Sequence, residues 1–145
     1  MVATDVLEIL MVEDNPADIR LAREAFQEGR HLKNLHVVQD GTDAIDFLRR
    51  RGKFANAVKP DLIFLDLNLP RMDGRQVLAE IKSDPNLRRI PVVVLTTSSA
   101  ERDILRSYDL HANCYIVKPV DLDDFISTIL KLEDFWLTSV TLPPQ

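Results

Sequence analysis

Leu62-Ile63-Phe64-Leu65-Asp66 is a run of four apolar residues closed by a carboxylate. A short apolar run without polar alternation reads as a strand covered on both faces, and such strands belong to parallel sheets flanked by helices. Val92-Val93-Val94-Leu95 repeats the pattern. Working outward, Leu7-Glu8-Ile9-Leu10-Met11-Val12 runs into Glu13-Asp14, and Tyr115-Ile116-Val117 runs into Lys118-Pro119. Strands are predicted near 7–13, 35–39, 62–66, 91–95 and 114–117, with amphipathic helices at 16–28, 42–50, 74–83, 99–109 and 121–137. This β-α alternation predicts an α/β fold with a parallel sheet.

Several helix starts carry their own signals. Asn15-Pro16 offers a cap and a proline at the first helical position. Ser98-Ser99-Ala100-Glu101 fits a capping box, and Asp121 can cap the last helix. Gly41 and Gly74 each mark a loop entering a helix.

With 145 residues and neither an internal repeat nor a linker, the chain reads as one domain. A net charge of −5 argues against general nucleic-acid binding, which depends on neutralising phosphates. Arg49-Arg50-Arg51 and Arg88-Arg89 read as solvated surface, and His31, His36 and His111, lacking metal-ligand spacing, as surface or loop residues. Asp5 and Glu8 interrupt any signal-peptide pattern, and no stretch reaches the ~18 apolar residues of a membrane span. The lone Cys114 adjoins an apolar strand and reads as an inert thiol. The expectation is a cytoplasmic protein without membrane contact.

Strands lying parallel in one open sheet deliver their ends to a common crevice, where such folds bind ligands. Glu13, Asp14, Asp66 and Lys118 would meet there. Two carboxylates about 4 Å apart repel by roughly 4 kcal/mol at an effective dielectric near 20. A cation or raised pKa values must relieve the cluster. Mg²⁺ suits it, taking carboxylate oxygen while keeping waters and leaving room for a phosphate. A capping or turn role would explain any one of these acids by itself, but not their coincidence at several strand ends. Thr96-Thr97-Ser98 adds hydroxyls and backbone N–H groups that can receive phosphate oxygens.

Glu13-Asp14, Asp66, the turn Pro70-Arg71-Met72-Asp73-Gly74, Thr96-Thr97, Tyr115 and Lys118-Pro119 occur in an order and spacing that resembles the response-regulator receiver domain of two-component signalling. The resemblance implies a doubly wound, five-stranded parallel sheet of flavodoxin-like order 2-1-3-4-5 with helices on both faces. It implies a single receiver domain over 1–145, with its core at about 7–130 and an extended C-terminal helix and tail over 131–145. Asp66 would be the phosphoacceptor. Glu13, Asp14, Asp66 and the backbone carbonyl of Asn68 would hold Mg²⁺, Glu13 through a water. Lys118 would pair with the carboxylate and then with the phosphoryl group, across a Lys-Pro bond that is commonly cis in this family. Thr96 and Tyr115 would form the switch, and Asn68 and Ser98 would tune the lifetime of the phosphate. Such a protein promotes its own phosphorylation and dephosphorylation and is not a conventional enzyme.

A haloacid-dehalogenase-like phosphatase also carries a nucleophilic aspartate, but needs a second Asp two residues on, where this chain has Asn68. A nucleotide-binding fold would need a glycine-rich cradle in place of Glu13-Asp14-Asn15-Pro16. A degenerate receiver acting only as an interaction module would not need the full set of site residues. The loop 51–59 and the tail from Phe135-Trp136-Leu137 resemble the small receivers partnered with bacterial phytochromes. A sensor histidine kinase, with a phytochrome as the narrower match, is therefore the expected partner, along with a homodimer through the last helices and tail.

Overall fold

The five strands of the sheet are β1 (Leu7–Val12), β2 (Lys33–Val38), β3 (Leu62–Asp66), β4 (Val92–Thr96) and β5 (Cys114–Val117). They lie in the order β2-β1-β3-β4-β5, and every neighbouring pair is parallel. Among the described residues the continuous helices are α1 (Pro16–Gln27), α2 (Gly41–Arg49) and α3 (Gly74–Ser83), with one 3-10 turn at Gly52–Phe54. The computed structural model describes residues 6–27, 32–97 and 114–117, together with 123, 126, 127, 130 and 131, which are helical. The predicted helix at 99–109 and most of that at 121–137 lie outside the described residues. No helix among the described residues is long and apolar enough to cross a membrane.

The strand periodicity of two divides the core. Leu10, Val12, Ile63, Leu65, Val92 and Val94 face α2 and α3, while Ile9, Met11, Leu62, Phe64, Val93 and Leu95 face α1 and Ile126. All five residues of β3 and all five of β4 are buried, as the unbroken apolar runs require. On the α1 side, Phe26 meets Phe64 edge to face at 5.3 Å between centroids, a geometry that adds about 0.5–1.5 kcal/mol to the area buried.

β2 begins at Lys33, two residues before the predicted start. This edge strand is only partly covered, so its polar first residues give no apolar signal. They are paired instead through side chains: Asn34 Nδ2 donates to Glu8 Oε2 at 3.1 Å, and His36 Nε2 lies 2.8 Å from Glu8 Oε1. His36 is half-buried on β2 against the Phe47 ring, where a surface or loop residue was expected; His31 and His111 lie outside the described residues.

The helix ends follow local chemistry. Asn15 Oδ1 accepts the Ala17 and Asp18 N–H groups at 2.9 and 3.3 Å, and Pro16 opens α1. Asp40 caps α2 by accepting the Asp43 N–H at 2.7 Å. Asp73 and Gln76 make a reciprocal capping box on α3. Arg49, expected to be solvated, ties α2 to α3 through Glu80 at 2.8 Å and Asp84 at 3.3 Å.

Candidate functional site

The C-terminal ends of β1, β3 and β4 open on one side of the sheet, because parallel strands in register end together. Glu13 follows β1 and is completely buried, Asp14 beside it is exposed, and Asp66 closes β3 with 4% of its surface accessible. One carboxylate oxygen from each of the three lies within 4.8 Å of the others. At that separation each pair repels by about 3.5 kcal/mol at an effective dielectric near 20. The crevice thus gathers more negative charge than strand ends need for folding.

Backbone donors hold these carboxylates in place. Glu13 Oε2 accepts the Asn15 N–H at 3.2 Å, so the residue that caps α1 also fixes the buried acid. Asp66 Oδ1 accepts the Asn68 N–H at 3.2 Å. The donor set is all carboxylate oxygen with an exposed side at Asp14, which fits a hard divalent cation that keeps several waters. Transition metals preferring nitrogen or sulfur find no such ligand in this cluster.

Thr96 ends β4 beside this cluster and is fully buried, while Thr97 is exposed. β5 pairs with β4 so that Tyr115 faces Val94 and Val117 faces Thr96. The half-buried Tyr115 packs against the core on the α2–α3 side. Asn68 is exposed just beyond Asp66. Ser98, Lys118 and the Lys118-Pro119 bond lie outside the described residues. The structure therefore brings together Glu13, Asp14, Asp66, Asn68 and Thr96, with Tyr115 one strand away.

Two features of the β3–α3 connection emerge only in three dimensions. A Cβ added at Gly74 would lie 2.5 Å from the Asp66 carbonyl oxygen and 2.6 Å from Leu67 Cα. The glycine thus lets α3 start directly against the backbone of the acid-bearing strand. Arg71 adopts a left-handed φ of 65° and reaches Asp40 at 3.8 Å, linking this loop to the cap of α2. The Asp73-Gly74 pair marks a turn in the sequence, but a turn signal cannot say what the glycine touches.

Residues 9–130 match the family model of the response regulator receiver domain. The chain is 50% identical to the response regulator Rcp1 of Synechocystis sp. over 135 residues, which is 93% of this chain and 92% of Rcp1. Among solved structures, the phosphorylated cyanobacterial phytochrome response regulator RcpA superposes with a TM-score of 0.89 at 54% identity, covering 97% of this chain and 100% of RcpA. The Mn²⁺-bound form of Rcp1 gives a TM-score of 0.86 at 49% identity over 95% of this chain and 99% of that one. The order of the five strands, the acid cluster at their ends and these matches agree: the chain belongs to the response regulator receiver domain family.

Proposed function

We propose that this protein is a response regulator that accepts a phosphoryl group on Asp66 from a sensor histidine kinase, a phytochrome being the kinase that its relatives' names suggest. The observation that carries the proposal is the meeting of the Glu13, Asp14 and Asp66 carboxylates within 4.8 Å, with the Thr96 hydroxyl residue buried beside them. An Asp66 carboxylate oxygen attacks the phosphorus in line; the new O–P bond forms as the bond to the donor breaks, and the donor leaves with its electron pair. Mg²⁺ held by Glu13, Asp14, Asp66 and the Asn68 carbonyl would supply the positive charge that offsets the attacking carboxylate and the phosphoryl oxygens. The Mn²⁺ seen in the related Rcp1 supports a divalent cation in this role. Lys118 neutralises a further phosphoryl oxygen. The Thr96 hydroxyl donates to the phosphoryl group, and Tyr115 follows it inward, biasing the surface that partners read. In this reading the residues at positions 68 and 98, Asn68 and Ser98, would set how readily water reaches the phosphoryl group.

The output is a protein contact or onward phosphotransfer rather than a conventional enzymatic product. The chain spans 92% of Rcp1 and all of RcpA, so the likeness to these response regulators extends over nearly their whole length. A homodimer through the last helix and the tail 131–145, and a cytoplasmic location, complete the reading; sedimentation of the chain before and after phosphorylation tests the dimer.

The deciding experiment incubates wild type and Asp66→Asn with a small acyl phosphate, with and without Mg²⁺, and weighs the products. Wild type gains one phosphoryl group only with the cation, and Asp66→Asn gains none. An equal gain in both proteins assigns the acceptor elsewhere and overturns the proposal.

A further inference from the structure

At the opposite end of the sheet from the carboxylates, α2 stops in a way its own sequence makes costly. The Arg50 N–H donates to the Phe47 carbonyl at 3.2 Å and the Arg51 N–H to the Asp46 carbonyl at 2.9 Å. This paired closure requires a left-handed residue, and Arg50 supplies it with φ 56° and ψ 49°. Glycine is the residue that takes this conformation freely, and the next position ordinarily makes an apolar contact with the last turn of the helix. Here the two positions hold Arg50 and Arg51, both exposed. Folding alone favours neither choice, and backbone strain kept where a cheaper residue exists points to use.

Both arginines border a cleft of about 570 Å³ between the C-terminal ends of α2 and α3, whose far wall is formed by Asp84, Asn86 and Leu87. Arg49 is consumed internally: it pairs with Asp84, the one acid lining the cleft, and with Glu80 beside it, which ties the two walls together. Among the described residues Arg50 and Arg51 make no ion pair, and the exposed Arg88 next to Leu87 makes none either. A chain of net charge −5 therefore concentrates unpaired guanidinium groups on one pre-shaped edge.

We infer that this cleft docks an acidic segment of a partner protein, with Arg50 and Arg51 gripping its carboxylates. A guanidinium takes a carboxylate through two parallel hydrogen bonds, which gives a short acidic segment both affinity and a fixed orientation. A nucleic-acid strand suits the site less well, since its phosphates would run past the few arginines onto a surface that is acidic overall. An occupant here leaves the carboxylate crevice open, so docking and the chemistry at Asp66 can proceed together. The inference is independent of the phosphoryl-acceptor reading.

The probe is a fluorescein-labelled hexaglutamate peptide, titrated with the full chain in about 150 mM salt to screen diffuse attraction, with inorganic triphosphate and a short single-stranded DNA as comparison ligands. The double variant Arg50→Gly/Arg51→Gln should bind the peptide roughly fivefold more weakly or worse, while Arg20→Gln/Arg23→Gln on α1, an equal change in charge, binds as wild type. Arg50→Gly by itself unfolds no earlier than wild type, because glycine relieves the left-handed strain, so lost binding cannot be attributed to lost folding. Amide shifts on adding peptide should centre on Arg50, Arg51, Asn86 and Leu87. Equal weakening by the α1 variant, no peptide binding at all, or tighter binding of DNA than of peptide would each overturn the proposal.

Discussion

Replacing Gly74 by alanine inserts one methyl group between α3 and the strand that carries Asp66. The added carbon would sit 2.5 Å from the Asp66 carbonyl oxygen, 2.6 Å from Leu67 Cα and 3.0 Å from the Leu67 carbonyl oxygen. Ordinary contact starts near 3.4 Å, so about 0.9 Å of clearance is missing in a closely packed region. None of the three obstacles is a flexible side chain. The Leu67 N–H is bonded to the Leu95 carbonyl at 3.2 Å, and the Leu67 carbonyl accepts the Gly74 N–H at 3.1 Å. The helix must therefore back away, carrying Val77, Leu78 and Ile81 out of the core. Overpacking of this kind costs about 1–3 kcal/mol, and at the first position of α3 the helix propensity of alanine returns little of it. A net loss of about 1–3 kcal/mol lowers the midpoint of thermal unfolding by roughly 3–9 °C in a chain of this size. The same displacement shifts the 67–73 loop beside Asp66, and a misplacement approaching 1 Å can slow phosphoryl acceptance by up to about a hundredfold. Urea unfolding and the rate of mass gain from an acyl phosphate measure the two effects. Gly52→Ala is the control: its φ of +56° makes alanine strained there, yet nothing lies within 4 Å of the added carbon. It should lose about 1–2 kcal/mol through the backbone alone and keep the normal rate. If Gly74→Ala stays within about 0.5 kcal/mol of wild type and reacts at the wild-type rate, the close approach of α3 to β3 does not constrain the site as argued.

Two further outcomes test the scaffold. Asp40→Ala removes the 2.7 Å cap on the Asp43 N–H and the 3.8 Å contact with the exposed Arg71, and should cost about 1 kcal/mol in urea unfolding, most of it regained in Asp40→Asn; no loss in Asp40→Ala would remove the cap from the account. The Lys82 ammonium donates to the Arg88 and Ile90 carbonyls at 3.0 Å each, and burial holds its pKa below the ordinary 10.5. The folded protein therefore gives up this proton before the unfolded chain does. Wild type should gain stability relative to Lys82→Met as pH rises through the lowered folded value towards 10.5, and lose that gain as pH falls back through it; parallel stability profiles for the two proteins would contradict this.

The central strands were legible because burial on both faces leaves an unbroken apolar run, as in Leu62–Leu65 and Val92–Leu95. Asp66 stood out because a carboxylate at the tip of such a strand has no folding role, and Asn15-Pro16 announced α1 through purely local chemistry. What stayed hidden depends on neighbours distant in sequence. The start of β2 is polar because the strand is an edge, and its side chains answer Glu8 across the sheet. Arg49 looks like any surface arginine until α3 brings Glu80 and Asp84 to it. The spacing of Gly74 suggested a turn, whereas its necessity comes from the backbone of β3 pressed against it.

The position of β3 between β1 and β4 has a consequence for how the protein breathes. A central strand cannot fray by itself, so its amide hydrogens exchange with solvent only when the whole domain opens. Asp66 stands at the tip of that strand, while β2, on the rim, can open alone. An ion held by Glu13, Asp14 and Asp66 should therefore slow deuterium uptake at Ile63, Phe64 and Leu65 by the factor one plus its concentration over its dissociation constant, and leave the fastest-exchanging amides of β2 nearly untouched. Occupancy of the crevice would be felt as the lifetime of the entire fold.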